Sequence, residues 1–213
     1  MSAIFVGYKT TTSPDFSDFV VEPKAPKNYK DPEKISAYIE EARAETRASA
    51  SSKPFTGIFE EASICLYDDG ADSKKEGFTC LNTYKGASEF PDFIGTLATM
   101  TGEGTQAFMF NAYPFMRLIA MQALRSKLNS QFINYWLLNH PTSRGLIVDL
   151  PKIFLPSSEE VSRISYTGLF HYFGLTLAAA DMTDTQRQCQ KLYELYCAAN
   201  KFNGLVFNEV SSS

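Results

Sequence analysis

Cations interleaved with aromatic rings are the feature of this sequence best suited to binding chemistry. Between residues 107 and 156 the chain carries five basic side chains and a single carboxylate, Asp149. This combination binds single-stranded nucleic acids, because cations follow the phosphates while rings stack on the bases. The residues that we predict to line a groove for such a strand are Arg117, Arg125, Lys127, Arg144, Tyr113 and Tyr135. The alternative is that the rings simply fill a core, since they recur at helical spacing beside Leu and Ile.

Asp149 lies between Val148 and Leu150 within this basic block. A carboxylate in such an apolar setting is expected to pair with a guanidinium, and Arg117 or Arg144 is the natural partner. The pair is either a structural salt bridge or a device that holds an arginine at a phosphate.

The cysteine and histidine content argues against metal or nucleophilic chemistry. The chain has 4 cysteines and 2 histidines, and no two cysteines form a Cys-x-x-Cys pair. We therefore predict no metal site, no cofactor and no catalytic residue. Cys189 and Cys197 fit buried thiols on a helix. Cys65 and Cys80 lie on two runs that can pair as strands, so a bridge is geometrically feasible, although an intracellular setting disfavours it.

The segment Gly102-Glu103-Gly104 fits a dinucleotide-binding loop only loosely. Such a loop needs an acidic residue about twenty positions on for the ribose, and residues 120–130 contain none. We expect a glycine-rich turn between helices here.

Length and hydrophobic patterning predict a mainly α fold. The 213 residues, 44% of them hydrophobic, suit one domain. We predict a single helical-bundle-like core over about 57–205 with one small β-hairpin at about 62–84. Capping boxes predict a long helix from Ser158 to about Ala180 and a last helix that begins at Thr183. The predicted apolar face of that last helix consists of Cys189, Leu192, Tyr193, Tyr196 and Cys197.

Flexible arms are predicted at both ends. Residues 1–56 are rich in Thr, Ser, Pro and Lys and suggest an N-terminal arm. This arm carries a short amphipathic helix at about 32–48, in which Asp31 is the N-cap and Pro32 opens the first turn. Its narrow apolar face consists of Ile35, Tyr38, Ile39 and Ala42. Residues 206–213 form the predicted C-terminal tail.

These features favour an assembling structural protein over an enzyme. Arms can reach neighbouring subunits, and the acidic segment 57–106 can meet the basic segment 107–156 head to tail. We expect a self-assembling subunit of coat or nucleoprotein type that packages single-stranded nucleic acid, with RNA favoured. The plan resembles that of helical viral coat proteins in general.

Two other functions stay open. One is a non-enzymatic helical adaptor that binds another protein through its N-terminal helix or its hairpin. The other is a small-molecule enzyme that uses the Gly102–Gly104 turn as a phosphate cradle.

The net charge of −4 argues against coating duplex DNA. The expected partners are therefore further copies of the chain and a single strand, with neither a membrane nor a small-molecule substrate. The expected location is intracellular and cytoplasmic, or within a virion if the protein is viral.

Overall fold

The computed structural model describes residues 2–12, 23–50, 57–68, 77–128, 146–154 and 165–202. Its strands are β1 (Ser2–Thr12), β2 (Gly57–Asp68), β3 (Phe78–Lys85), β4 (Gln106–Met109) and β5 (Ile147–Asp149). Its helices are α1 (Pro32–Ala50), α2 (Gly86–Gly102), α3 (Ala112–Arg125), α4 (Leu150–Phe154), α5 (Tyr166–Tyr172) and α6 (Thr185–Phe202), with a 3₁₀ turn at Ala179–Thr183.

The strands form one mixed sheet in the order β3-β2-β1-β4-β5. β2 runs antiparallel to β1 and β3, whereas β4 and β5 continue the sheet parallel to β1. The prediction of a mainly α, helical-bundle-like core is therefore wrong: the fold is α/β. The two runs expected to form a hairpin do pair, as β2 and β3, but they belong to the larger sheet.

β1 is the central strand, so the prediction of a flexible N-terminal arm does not hold for residues 2–12. Ile4, Phe5 and Val6 are each 0% exposed. A strand that is covered on both faces shows a continuous apolar run instead of alternation. The threonines at Thr10–Thr12 favour a linker by composition, but threonine also favours β-strands, and here these residues complete β1.

Helices cover both faces of the sheet. Ile4 and Val6 pack with α2 and α3, and the alternate residue Phe5 packs with α5 and α6 on the opposite face. A bulge at Glu60 lies where the β1–β2 register shifts. Because it adds one residue, Phe59 and Ala62 face the same layer despite being three apart.

The helix α1 lies where the sequence predicts it. Asp31 Oδ1 accepts the Glu33 N–H at 3.0 Å, as expected for an N-cap. Ile35, Tyr38, Ile39 and Ala42 are the half-buried face of this mostly exposed helix.

The predicted long helix to Ala180 is wrong in its described part, which holds the short α5 and the start of the 3₁₀ turn. Gly174 adopts φ 71° after α5, and the Leu175 N–H returns to the Phe170 carbonyl at 2.8 Å. This left-handed glycine ends the helix. α6 is capped by Asp184, whose Oδ1 accepts the Arg187 N–H at 2.9 Å, and not by Thr183. Residues 155–164 and the predicted tail 206–213 lie outside the described ranges.

Candidate functional site

The candidate site is built around α3, which leaves the sheet at the carboxyl end of β4. Asn111 makes the turn in the left-handed region, with φ 47° and ψ 47°, a conformation that Asn tolerates better than most residues. Pro114 lies in the first turn of the helix, where the N–H that it lacks needs no partner. The Ala112 N–H is instead satisfied by Asp149 Oδ2 of β5, at 3.1 Å.

One face of α3 is buried and the other is open. Phe115, Leu118 and Ile119 pack into the core. The outer stripe of α3, at helical spacing, consists of Tyr113, Arg117, Ala120, Met121 and Leu124. Tyr113 is 55% exposed, and the Arg117 guanidinium carbon lies 5.7 Å from the centroid of its ring. This cation–π pair presents a ring and a positive charge together at the surface.

A cleft of about 280 Å³ adjoins this stripe at the carboxyl ends of β1 and β4. Its lining residues are Tyr8, Thr10, Asn111, Pro114, Phe115 and Leu118. The Tyr8 ring stacks on Phe115, with centroids 3.7 Å apart and planes 10° apart. Pro114 and Leu118 lie on the α3 ridge next to Tyr113 and Arg117, so the cleft and the outer stripe are neighbours.

The amide of Asn111 is oriented by Tyr166. The Tyr166 hydroxyl donates to Asn111 Oδ1 at 2.6 Å. Burial, reinforced by the negative charge of Asp149, raises the pKa of Tyr166 to about 12. Tyr166 therefore stays protonated and donating at physiological pH, and the Asn111 amide group keeps its NH₂ end for another partner.

Asp149 is the charged group behind this turn. Its Oδ2 also lies 3.1 Å from the Lys152 ammonium. Within the described ranges Oδ1 is buried without a hydrogen-bond partner. Burial raises the pKa of Asp149, and the opposing effects of Lys152 and of the Ala112 and Asn111 N–H groups do not cancel that rise. Burial, reinforced by the same carboxylate, raises the pKa of Tyr8.

Among the described residues, the predicted basic side chains lie at different places around α3. Arg117 and Tyr113 meet on the outer stripe, whereas the Arg125 guanidinium donates to the Gly57 carbonyl at 3.1 Å and so anchors the start of β2. Lys127 is exposed just beyond α3, with φ 51°. Arg144 and Tyr135 lie outside the described ranges.

Of the two partners predicted for Asp149, Arg117 lies over the Tyr113 ring and Arg144 lies outside the described ranges. Lys152, three residues on, pairs with Asp149 in place of Arg117. This one-turn spacing is visible in the sequence. Asn111 and Tyr166 were not predicted as site residues. A strand-like run that ends near Asn111, with Pro114 three residues on, is the signal in the sequence for a turn into a helix there.

The Gly102–Gly104 turn is not available as a phosphate cradle. It connects α2 to β4, and the N–H groups of Glu103, Gly104 and Thr105 all bond to carbonyls of α2. The described residues contain no group of three or more His, Cys, Asp or Glu side chains placed to hold a metal. No helix among them has the length and apolarity that a bilayer span requires.

Comparison of the chain with protein-family models, with curated proteins and with solved structures finds no match.

Proposed function

We propose that the protein binds a single strand of nucleic acid, with RNA the preferred strand, along the outer stripe of α3, as a subunit of a self-assembling coat or nucleoprotein. The observation that carries this proposal is the exposed Tyr113 ring with the Arg117 guanidinium 5.7 Å from its centroid. Stacking of a base on the ring leaves the guanidinium within reach of the adjacent phosphate.

The charge of the surrounding chain supports the same function. Between Glu103 and Asp149 the sequence contains four cations and no acidic residue. A phosphate approaching α3 therefore meets no repelling carboxylate from its own segment. Arg117 and Lys127 are exposed cations on or just after this helix.

The cleft beside the stripe suits one base. Its apolar walls include Pro114 and Leu118, and Asn111 supplies a polar group at its rim. Because Asn111 Oδ1 already accepts from Tyr166, the NH₂ group is the end that is free to meet a base. A strand can then place one base on Tyr113 and the next in the cleft.

The test is fluorescence anisotropy of a labelled single-stranded oligonucleotide, as RNA and as DNA of the same sequence. We expect Arg117→Ala to weaken binding by about tenfold and to lower the slope of log affinity against log salt by about 0.7, the loss of one phosphate contact. We expect Tyr113→Ala to weaken binding by a similar factor, about tenfold, with the slope unchanged.

Arg187→Ala is the matched control. Arg187 is an exposed cation on α6, which packs against the opposite face of the sheet. This variant removes the same charge without touching α3. If Arg117→Ala and Arg187→Ala lowered the affinity for the oligonucleotide equally, net charge alone would account for binding. That result would contradict a site on α3.

Assembly is tested separately, by light scattering on native material with absorbance at 260 and 280 nm recorded across the peak. A large particle with excess absorbance at 260 nm supports packaging. A small species with a protein spectrum contradicts it.

The adaptor function is a second candidate, which the exposure of α1 favours. The apolar face of this helix, Ile35, Tyr38, Ile39 and Ala42, is only half-buried. A partner that covered this face would bury more of it. This candidate predicts a monomer or dimer free of nucleic acid in the same scattering experiment, with a partner that is lost on Ile39→Glu substitution.

A further inference from the structure

Three cysteines line up from the surface to the interior of the sheet. Cys65 of β2 and Cys80 of β3 are directly opposite in the antiparallel register, next to the bulge at Leu81. Cys189 of α6, together with burial, raises the pKa of the Cys65 thiol, and Cys80 partly opposes that rise. Directly opposed residues on antiparallel strands have Cα atoms about 4.5–5.5 Å apart, a separation that a disulfide spans without backbone movement.

Access to these thiols differs sharply. Cys80 is exposed, whereas Cys65 is 1% and Cys189 is 0% exposed. Of these three thiols, a reagent in solution therefore reaches Cys80 alone, whereas Cys197, farther along α6, is half-buried. Cys189 is further held by the backbone, since its sulfur accepts the Gly7 N–H at 3.1 Å and its thiol contacts the Phe5 carbonyl at 3.2 Å.

We propose that Cys80 and Cys65 form a reversible cross-strand disulfide, in which Cys80 is the entry thiol for a low-molecular-weight disulfide and Cys65 is the resolving thiol. In the first step the Cys80 thiolate attacks one sulfur of the reagent. The reagent's sulfur–sulfur bond breaks, and one half leaves as a thiolate that takes up a proton.

In the second step Cys65 loses its proton, and its sulfur attacks the Cys80 sulfur of the mixed disulfide. The second half of the reagent leaves as a thiol. The two protein thiols are oxidised by two electrons, and the reagent is reduced to two thiols.

The pH dependence of the first step follows from the surroundings of Cys80. Burial, with the neighbouring Cys65, raises the pKa of the Cys80 thiol. Little thiolate is then present at neutral pH, and the reaction accelerates as pH rises.

The test is incubation of the full chain with oxidised glutathione, followed by thiol titration, intact mass and a non-reducing peptide map. We expect loss of two of the 4 thiols, a mass lower by two hydrogens, and a peptide pair joined through Cys65 and Cys80. Reductant should restore the starting mass. A wild-type product that keeps glutathione on Cys80 without bridging, or a bridge through Cys189, would overturn the proposal.

Variants separate the two roles. Cys65→Ala should accumulate one glutathione at Cys80, and in Cys80→Ser the peptide that contains Cys65 should carry neither glutathione nor a bridge. Cys189→Ser is the control and should still form the bridge. If Cys80→Ser oxidised at the wild-type rate, Cys80 would not be the entry thiol. The wild-type peptide map decides the pairing even if a variant at the buried Cys65 fails to fold.

Discussion

The side-chain amide of Gln188 pairs with the backbone of Tyr8 as a neighbouring strand would. Its oxygen accepts the Tyr8 N–H at 3.0 Å, and its nitrogen donates to the Tyr8 carbonyl at 3.0 Å. β4 ends at Met109, opposite Val6, so beyond this point α6 continues the pairing of β1. Because Tyr8 also lines the cleft, this contact fixes one wall of the candidate site.

Gln188→Ala is expected to lower the free energy of unfolding by about 2 kcal/mol, since it leaves the half-buried N–H and carbonyl of Tyr8 without the amide. Denaturant unfolding measures this loss. Gln190→Ala is the control, because Gln190 is exposed on the same helix and its side chain donates to Glu194 on that helix. Equal stability of the two variants would mean that the amide of Gln188 does not hold α6 to the sheet.

Gly7 and Gly95 form a matched pair of glycine substitutions. A Cβ at Gly7 would lie 1.9 Å from the Thr185 carbonyl oxygen, whereas a Cβ at Gly95 meets nothing within 4 Å. We expect Gly7→Ala to destabilise by at least about 3 kcal/mol, because α6 must move away from β1. Gly95→Ala, inside α2, should stabilise by up to about 1 kcal/mol. Thermal unfolding of both variants tests the close approach of α6 to β1. A Gly7→Ala variant as stable as wild type would refute that close approach.

The pH dependence of the free energy of unfolding should contain a contribution from the Asp149 carboxyl. Its pKa in the folded protein is raised above the usual 3.8 by burial, so the native state binds this proton more tightly than the unfolded chain does. The stabilisation is complete below that usual value and is lost as pH rises through the folded pKa. Wild type should therefore lose stability relative to Asp149→Asn between acidic and neutral pH.

The difference in Tm between the two proteins measures this contribution, since the other carboxylates cancel. A difference that grows in favour of wild type with rising pH would show that Lys152 and the α3 N-terminus outweigh burial.

Asn111 should confer a preference among bases. Its NH₂ group can donate to a base carbonyl, which uracil has and adenine lacks. Asn111→Gly keeps the left-handed turn, because glycine favours this conformation, and removes the amide. We expect the preference for oligo(U) over oligo(A), about fivefold from one hydrogen bond, to disappear in this variant. A preference that survives the substitution would remove Asn111 from base recognition.

Local signals predicted the helices better than the sheet. Asp31 and Pro32 open α1 as expected, because a cap depends only on adjacent residues. Of the predicted apolar face of α6, Cys189, Leu192 and Tyr196 are buried, because their spacing follows the helical period, whereas Tyr193 and Cys197 are half-buried. The strands β1, β4 and β5 lack the alternation that marks a half-exposed strand, since helices cover both their faces.

The same distinction applies to the site. Tyr113 and Arg117 meet because they lie four apart on one helix, a spacing that the sequence shows directly. Tyr166 and Asn111 are 55 residues apart, and no local pattern indicates that they meet. Charge alone predicts Arg125 as part of the basic groove, whereas its bond to the Gly57 carbonyl depends on how α3 crosses β2.

Ultraviolet crosslinking of a uracil-containing oligoribonucleotide, with the crosslinked residue located by mass spectrometry, tests binding along α3 most directly. The proposed stacking predicts a crosslink at Tyr113, abolished by Tyr113→Ala and weakened by Arg117→Ala but not by Arg187→Ala. Absence of any crosslink, or crosslinks confined to α1 or α6, would contradict a single-strand site on α3.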